Sequence, residues 1–146
     1  MLKANRRMVL AGAASLLLVQ PSLATPQAMQ EAIRALVGEA PIRPGRIKLD
    51  ISPLVENGNS VSVTLTADSP MTAADHVAKF ALFTEANPQP HVAVFHLGPR
   101  SGRAIVTTRM RLATSQAVTA LAVMSDGSVW SDRADVIVTL AACVEG

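Results

Sequence analysis

Eight residues, SVSVTLTA at positions 60–67, constrain the fold more than any other stretch of the chain. In an extended chain Val61, Val63 and Leu65 would lie on one face, and the serine and threonines between them on the other. This period of two is typical of a strand with one buried face and one face in water. We therefore expect a sheet that covers a core on one side.

Further short strands are predicted around this one, separated by turn-forming residues. They are GRIKLDI, HVAKFALFT, HVAVFHL, RAIVTTRMRL, QAVTALAVM, SVWSD and ADVIVTL. The segment GPRSG, residues 98–102, is interpreted as a hairpin connection. Because no long helical segments alternate with the strands, the pattern disfavours parallel βαβ units. It predicts an all-β fold, an immunoglobulin-like antiparallel β-sandwich over residues 45–140.

A short N-terminal helix and a linker are predicted within residues 25–44. Thr25 suits the N-cap, Pro26 the first helical position and Gly38 the end. Four apolar residues form one stripe along the helix: Met29, Ile33, Leu36 and Val37. The proline-rich segment APIRPG follows as a connector, so we expect the helix to pack beside the sandwich.

Residues 1–24 have the layout of a signal peptide. Arg6 and Arg7 lie in a basic start, an apolar run covers residues 8–19, and Ser22 and Ala24 are the small residues that suit cleavage. The apolar run is too short to span a bilayer. Because the adjacent arginines resemble a twin-arginine export signal, the protein is predicted to be periplasmic, and this route is favoured over the general secretory one.

The charge of the chain changes once this signal is set aside. Three of the 13 basic side chains and none of the 11 acidic ones precede Thr25, so the remaining net charge is −1. No basic run with interleaved aromatic residues is left, and no later segment is apolar enough to cross a membrane. Neither nucleic acid nor a membrane is therefore a predicted partner. The remaining length, about 120 residues, suits one domain with a core.

The polar residues form no recognisable catalytic or metal-binding motif. His76, His91 and His96 lack the spacing of metal ligands, and no nucleophile elbow or catalytic triad is indicated. The chain is therefore predicted to need no metal or cofactor and not to be an enzyme.

Two other polar features have structural interpretations. Arg103, Arg109 and Arg111 share one face of a predicted strand, which is interpreted as a solvated face, with an acidic partner surface as the alternative. Trp130 is assigned to the core or to an interface.

Cys143 stands out because it is the one cysteine of the chain and lies beyond the last predicted strand. In an exported protein a single thiol implies a disulfide to another molecule, a reactive role or no role. Packing is expected to end near Leu140, so the thiol is expected to be exposed and nucleophilic on a tail of small residues. An accidental cysteine and a functional one fit these observations equally well.

Five stretches, in the same order, resemble the SoxY family of sulfur carriers of the periplasmic thiosulfate-oxidising Sox system. They are PLVENGNSVSVTL, DSPMTAADHV, LFTEANPQPHVAVFHLGPRSGRA, TRMRLATSQ and VMSDGSVW. The resemblance runs from about residue 51 to residue 140. It implies an immunoglobulin-like sandwich that forms a heterodimer with a SoxZ-like protein. It also implies a cysteine that holds sulfur compounds covalently and presents them to partner Sox enzymes, so that the carrier itself catalyses nothing.

By position, the resemblance assigns the carrier role to Cys143, in an arm of residues 141–146. The family has glycines on both sides of its cysteine, whereas here two alanines precede Cys143 and Val144 and Glu145 follow it. Alanine and valine restrict the backbone more than glycine does, and Glu145 adds negative charge beside an anionic adduct. This arm is therefore a variant of the family pattern.

Three functions are consistent with the sequence. The leading one is a sulfur carrier loaded on Cys143. The second is a carrier-derived structural module that binds a SoxZ-like partner without transferring cargo. The third is a redox protein whose Cys143 forms an intermolecular disulfide.

Overall fold

A computed structural model describes residues 24–142, which form two β-sheets and one α-helix. The elements are α1 (Pro26–Val37), β1 (Ile42–Pro44), β2 (Ile47–Ile51), β3 (Leu54–Asn57), β4 (Val61–Ala67), β5 (Val77–Thr84), β6 (His91–His96), β7 (Ile105–Met110), β8 (Gln116–Met124) and β9 (Val129–Leu140). Most of the predicted signal peptide and residues 143–146 of the predicted arm lie outside the described residues. No helix within the described part is long and apolar enough to cross a membrane.

The strand that leads to the C-terminus, β9, is at the centre of the topology. The larger sheet has the order β1-β9-β8-β5-β6, with β3 also paired to β9, and the smaller sheet has the order β2-β4-β7. One edge of β9 pairs antiparallel with β8. Its other edge pairs in parallel with β1 near its start and with β3 near its end. The start of this 12-residue strand is therefore paired on two sides, whereas residues 137–140 pair with β3 beyond Val136, where the register with β8 stops.

The core lies between the two sheets and follows the alternation seen in the sequence. Val61, Val63 and Leu65 of β4 are 3%, 1% and 0% exposed. From the opposite sheet, Phe80 and Leu82 of β5 are packed in the same core and fully buried. The predicted all-β, immunoglobulin-like sandwich with a short N-terminal helix is confirmed.

The helix α1 covers part of the outer face of the larger sheet. The Thr25 hydroxyl caps the helix by accepting the Ala28 N–H at 3.1 Å, as the sequence predicts. Met29 and Ile33 are buried in a second apolar cluster with Phe83 of β5. The larger sheet is thus apolar on both faces where the helix lies, which explains the continuous burial along β5 and β8.

Three local predictions were wrong. Part of the predicted linker forms β1, where proline is tolerated because the strand is short and lies at a sheet edge. The two strands predicted at the end of the chain are one continuous strand, β9, whose middle carries polar side chains that interrupt the apolar pattern. The segment 98–102 is not a hairpin, because it joins β6 in the larger sheet to β7 in the smaller one. Turn residues indicate a change of direction but not which strands pair.

Candidate functional site

The predicted attachment residue, Cys143, lies outside the described residues, but its neighbour Ala142 is placed. The site can therefore be described up to the residue that precedes the thiol. The strand β9 ends at Leu140, as expected, and two further residues follow it at the end of the sandwich.

These two residues differ from the sequence-based expectation of a tail that is free after Leu140. Ala141 is exposed, but Ala142 is buried, with 7% of its surface accessible. The Ala142 N–H donates a hydrogen bond of 3.2 Å to the carbonyl oxygen of Leu112. The expectation was wrong for Ala142, because its side chain is small enough to be buried there and its backbone finds a partner.

Side chains also hold the last residues of β9 in place. The Val138 N–H donates to the Ser115 hydroxyl at 2.8 Å, and the Thr139 hydroxyl donates to the Glu56 carbonyl at 3.1 Å. No local pattern in the sequence predicts these contacts, because they join residues that are 23 and 83 positions apart. The base of the predicted arm is thus fixed by backbone pairing and by side chains together.

A further side chain joins β9 to the smaller sheet. The Asp132 carboxylate accepts the backbone N–H of Leu49 at 2.8 Å. Leu49 pairs with β4 across one edge of β2, so this bond serves the opposite edge of that strand. The hydrogen bond therefore connects the two sheets directly.

An exposed apolar pair lies near the same end of the sandwich. Leu54 of β3 and Ile137 of β9 are paired in register, and they are 57% and 60% exposed. Leu140, three residues further along β9, is 61% exposed. Large exposed apolar side chains on neighbouring strands are typical of a surface that another protein covers.

The three histidines are not brought together. His76 has Nδ1 at 2.9 Å from the Thr72 carbonyl oxygen, His91 stacks on Phe83 with ring centroids 5.0 Å apart, and His96 is exposed at the edge strand β6. Among residues 24–142 no group of three or more His, Cys, Asp or Glu side chains is arranged to hold a metal ion.

The remaining polar predictions fall on the surface. Arg103, Arg109 and Arg111 are all exposed, and Arg109 donates to the Ser60 hydroxyl at 3.1 Å. Trp130 is half-buried, with the guanidinium groups of Arg43 and Arg46 at 5.8 and 5.7 Å from its ring. Cation–π contacts of this kind contribute roughly 0.5–1 kcal/mol at exposed sites.

The carboxyl group of Asp126, in the turn between β8 and β9, has a shifted pKa. The Ser128 hydroxyl donates to the Asp126 carboxylate at 2.6 Å, and the Ser128 backbone N–H donates at 2.9 Å. These hydrogen bonds hold the pKa of Asp126 below its ordinary value. The turn lies at the start of β9, at the opposite end of the strand from Leu140, so this carboxylate belongs to the turn and not to the candidate site.

Comparison with known proteins gives one family. A model of the family described as "Sulfur oxidation protein SoxY" matches residues 33–143. None of the curated protein sequences matches the chain. Among solved structures, the sulfur carrier protein SoxY from Chlorobium limicola f thiosulfatophilum is similar, with a TM-score of 0.66 and 29% sequence identity. That match covers 78% of this chain and 98% of the other.

The sandwich also resembles superoxide reductases. The neelaredoxin-type enzyme from Ignicoccus hospitalis has a TM-score of 0.58 and 19% identity, over 80% of this chain and 94% of the other. The superoxide reductase from Nanoarchaeum equitans has a TM-score of 0.56 and 12% identity, over 66% of this chain and 100% of the other. At such identities the likeness shows a shared fold alone.

Proposed function

The chain belongs to the SoxY family of sulfur oxidation proteins, and we propose that it is a carrier that holds sulfur compounds covalently on the thiol of Cys143. The observation that carries the proposal is the extent of the family match. It reaches residue 143, so it includes the one cysteine of the chain at its last position. The likeness to a solved sulfur carrier supports the same role.

The chemistry of such a carrier needs a thiol and partner enzymes, but no catalytic group of its own. A thiol that joins the terminal sulfur of thiosulfate forms an S–S bond and releases one proton and two electrons. A partner enzyme must accept those electrons. Hydrolysis of the bound sulfonate by a second partner then returns sulfate and leaves one sulfur on the cysteine. The thiolate is the nucleophilic form, so exposure of Cys143 is the main requirement on this chain.

A second candidate is a structural module that keeps the fold and the partner but transfers no cargo. The burial of Ala142 favours it, because a tail that is held one residue before the thiol has less reach than a free arm. The replacement of the family's glycines by larger residues also favours this candidate, because larger residues restrict the backbone of the arm.

The mass of the protein isolated from its native compartment, measured with and without a reductant, separates these functions. A carrier should show an added sulfur-containing mass on Cys143 that the reductant removes. The Cys143→Ser variant should show none, while Ala141→Ser, at the exposed neighbouring position, should load like the wild type. A bare thiol under sulfur-oxidising conditions would contradict the carrier and favour the structural module. A doubled mass that the reductant halves would instead indicate the intermolecular disulfide.

We further propose a SoxZ-like protein as the partner in a heterodimer, with the exposed pair Leu54 and Ile137 in the interface. Burying two such side chains contributes roughly 1.5–3 kcal/mol each. Ile137→Asp should therefore raise the dissociation constant of the heterodimer more than tenfold, as measured by titration calorimetry. Ile105 is the matched control, because it is 45% exposed but lies on β7 in the other sheet. Equal weakening by Ile137→Asp and Ile105→Asp would contradict this interface.

Export to the periplasm is part of the same proposal. It is supported by the basic start and the apolar run of residues 1–24. Replacing Arg6 and Arg7 together by lysine should leave the precursor in the cytoplasm if the twin-arginine route is used. Unchanged export of that variant, with loss of export when the apolar run is interrupted by a charge, would indicate the general secretory route.

A further inference from the structure

Three chain segments cross at the end of the sandwich from which the C-terminal residues leave. They are the turn after β3, the connection after β7 and the end of β9. Gly58 in the turn donates its N–H to the Leu140 carbonyl at 2.8 Å and accepts the Leu112 N–H at 2.8 Å. The Leu112 carbonyl in turn accepts the Ala142 N–H at 3.2 Å. We call this set of Gly58, Leu112 and Ala142 the clasp.

Gly58 is buried, and the space around it leaves no room for a side chain. A Cβ at this position would overlap the Leu112 carbonyl oxygen and would lie 3.0 Å from both the Ala142 nitrogen and Val138 Cγ1. Gly58 does not have a positive φ angle, so its backbone conformation alone does not require glycine. Glycine is required here by the close approach of other backbone segments.

From this geometry we infer that Gly58 is a positioning residue for Cys143: by letting the clasp close, it fixes the point from which the thiol-bearing residues extend. The inference rests on the proposed carrier function only for its biological meaning. A closed clasp holds Ala142, the residue directly before Cys143 in the sequence, so the free part of the chain begins after Ala142 and not after Leu140.

Opening the clasp would change the reach of the thiol by a calculable amount. The pivot would move from Ala142 back to Leu140, and two extended residues add about 7 Å. A partner with a shallow active site can meet the thiol while the clasp is closed, whereas a partner with a deep channel needs it open. We therefore expect the closed clasp to shorten the reach of the thiol by about this distance.

Two variants, each at a different residue of the clasp, test this inference. Gly58→Ala introduces the methyl group that the clasp cannot hold. Ala142→Pro leaves Gly58 unchanged and removes the N–H that donates to Leu112, while its ring fixes φ at this position and restricts Ala141. It keeps the test available if Gly58→Ala does not fold. Gly98→Ala is the matched control, because Gly98 has an extended backbone (φ −153°) and a Cβ there would meet no atom within 4 Å.

The measurements are amide exchange at the C-terminus by NMR and the rate at which Cys143 reacts with iodoacetamide. Both test variants should show roughly fivefold faster exchange around Ala141–Ala142 (in Ala142→Pro, at Ala141), the change expected for loss of one backbone hydrogen bond. Cys143 should react about two- to fivefold faster in both by the same reasoning. Gly98→Ala should match the wild type in exchange and in reaction rate.

Two results would overturn the inference. One is an Ala142 amide that exchanges in the wild type as fast as in an unstructured peptide. The other is a Cys143 reaction rate that neither variant changes, which would reduce Gly58 to a residue of structural importance only. Iodoacetamide requires no sulfur cargo and no partner enzyme, so these results are independent of the loading experiment. A protein that fails to load sulfur but shows the expected rates would contradict the carrier function and leave the clasp intact.

Discussion

Replacing Asp132 by alanine should remove the hydrogen bond that ties β9 to the smaller sheet. The Asp132 carboxylate accepts the Leu49 N–H at 2.8 Å, and Leu49 is only 7% exposed. The alanine variant leaves this backbone donor without its partner, which costs about 1–3 kcal/mol. Asp132 itself is half-exposed, so we expect about 2 kcal/mol, equivalent to a decrease in Tm of roughly 8 °C for a domain of this size.

Urea denaturation followed by circular dichroism measures this loss. A change of about 2 kcal/mol should lower the midpoint by roughly 1 M urea. Asp132→Asn retains an acceptor oxygen and should lose less than half as much. Asp135→Ala is the matched control, because Asp135 is an exposed residue of the same strand and its ion pair with Arg133, at 3.6 Å, is at the surface. Its effect should be below about 0.5 kcal/mol. If Asp132→Ala costs no more than Asp135→Ala, the bond between the sheets contributes nothing and the reasoning is refuted.

Three further predictions concern the core and the turn before β9. Leu65→Ala should lower the free energy of unfolding by about 2–5 kcal/mol, because Leu65 is fully buried; Ser62→Ala on the exposed face of the same strand should change it by less than about 0.5 kcal/mol, and equal losses in urea denaturation would contradict the assigned faces. Thr84→Val should raise the Tm, because the buried Thr84 hydroxyl has no hydrogen-bond partner in the described structure; a lower Tm would show that the hydroxyl is satisfied. Ser128→Ala should raise the pKa of Asp126 towards its ordinary value in a carboxyl NMR titration. A lowered pKa stabilises the fold above the unfolded-state pKa, and this contribution is lost as the pH falls through the folded-state value. The stability difference between variant and wild type should therefore become smaller in strong acid, where only the loss of the Trp130 Nε1 bond to the Ser128 hydroxyl (3.2 Å) remains; a difference that does not change with pH would contradict this role of Asp126.

The elements with the clearest periodicity were those that the sequence predicted best. In β4 the alternation of Val61, Val63 and Leu65 with polar residues determines which face is buried, and the structure agrees. The helix α1 was predicted with both of its ends because Thr25 and Gly38 provide local signals that do not depend on the rest of the fold. Strand pairing was less predictable. The parallel addition of β1 and β3 to β9 joins residues far apart in sequence, and neither short strand has an alternation of its own.

The surroundings of the thiol were less accessible to sequence reasoning than the fold. The position of Cys143 after the last strand is visible in the sequence, and the family resemblance gives it a role. Asn57–Gly58 is a typical turn dipeptide, and the Asn57 side chain accepts the Asn59 N–H at 2.9 Å. The second demand on Gly58, the close approach of Leu112 and Ala142, depends on three segments meeting in space. No pattern within a single segment encodes such a meeting.

The topology explains why control of the thiol is concentrated in the few bonds around Ala142. Near its end, β9 pairs with β3 on one edge, and on the other edge the Ser115 hydroxyl accepts the Val138 N–H. The Thr139 hydroxyl adds a hydrogen bond to the Glu56 backbone carbonyl. Strands held on both edges open only with a large part of the sheet, so β9 itself is a rigid support. In contrast, Ala142 is held by its backbone hydrogen bond to Leu112, and it fits there because Gly58, next to it, has no side chain. The weakest point between the sheet and Cys143 is therefore the clasp, one residue before the thiol. A partner that binds the exposed Leu54 and Ile137 would contact β3 and β9, the strands on either side of this point. Partner binding and thiol access are thus expected to be coupled through the short turn that contains Gly58.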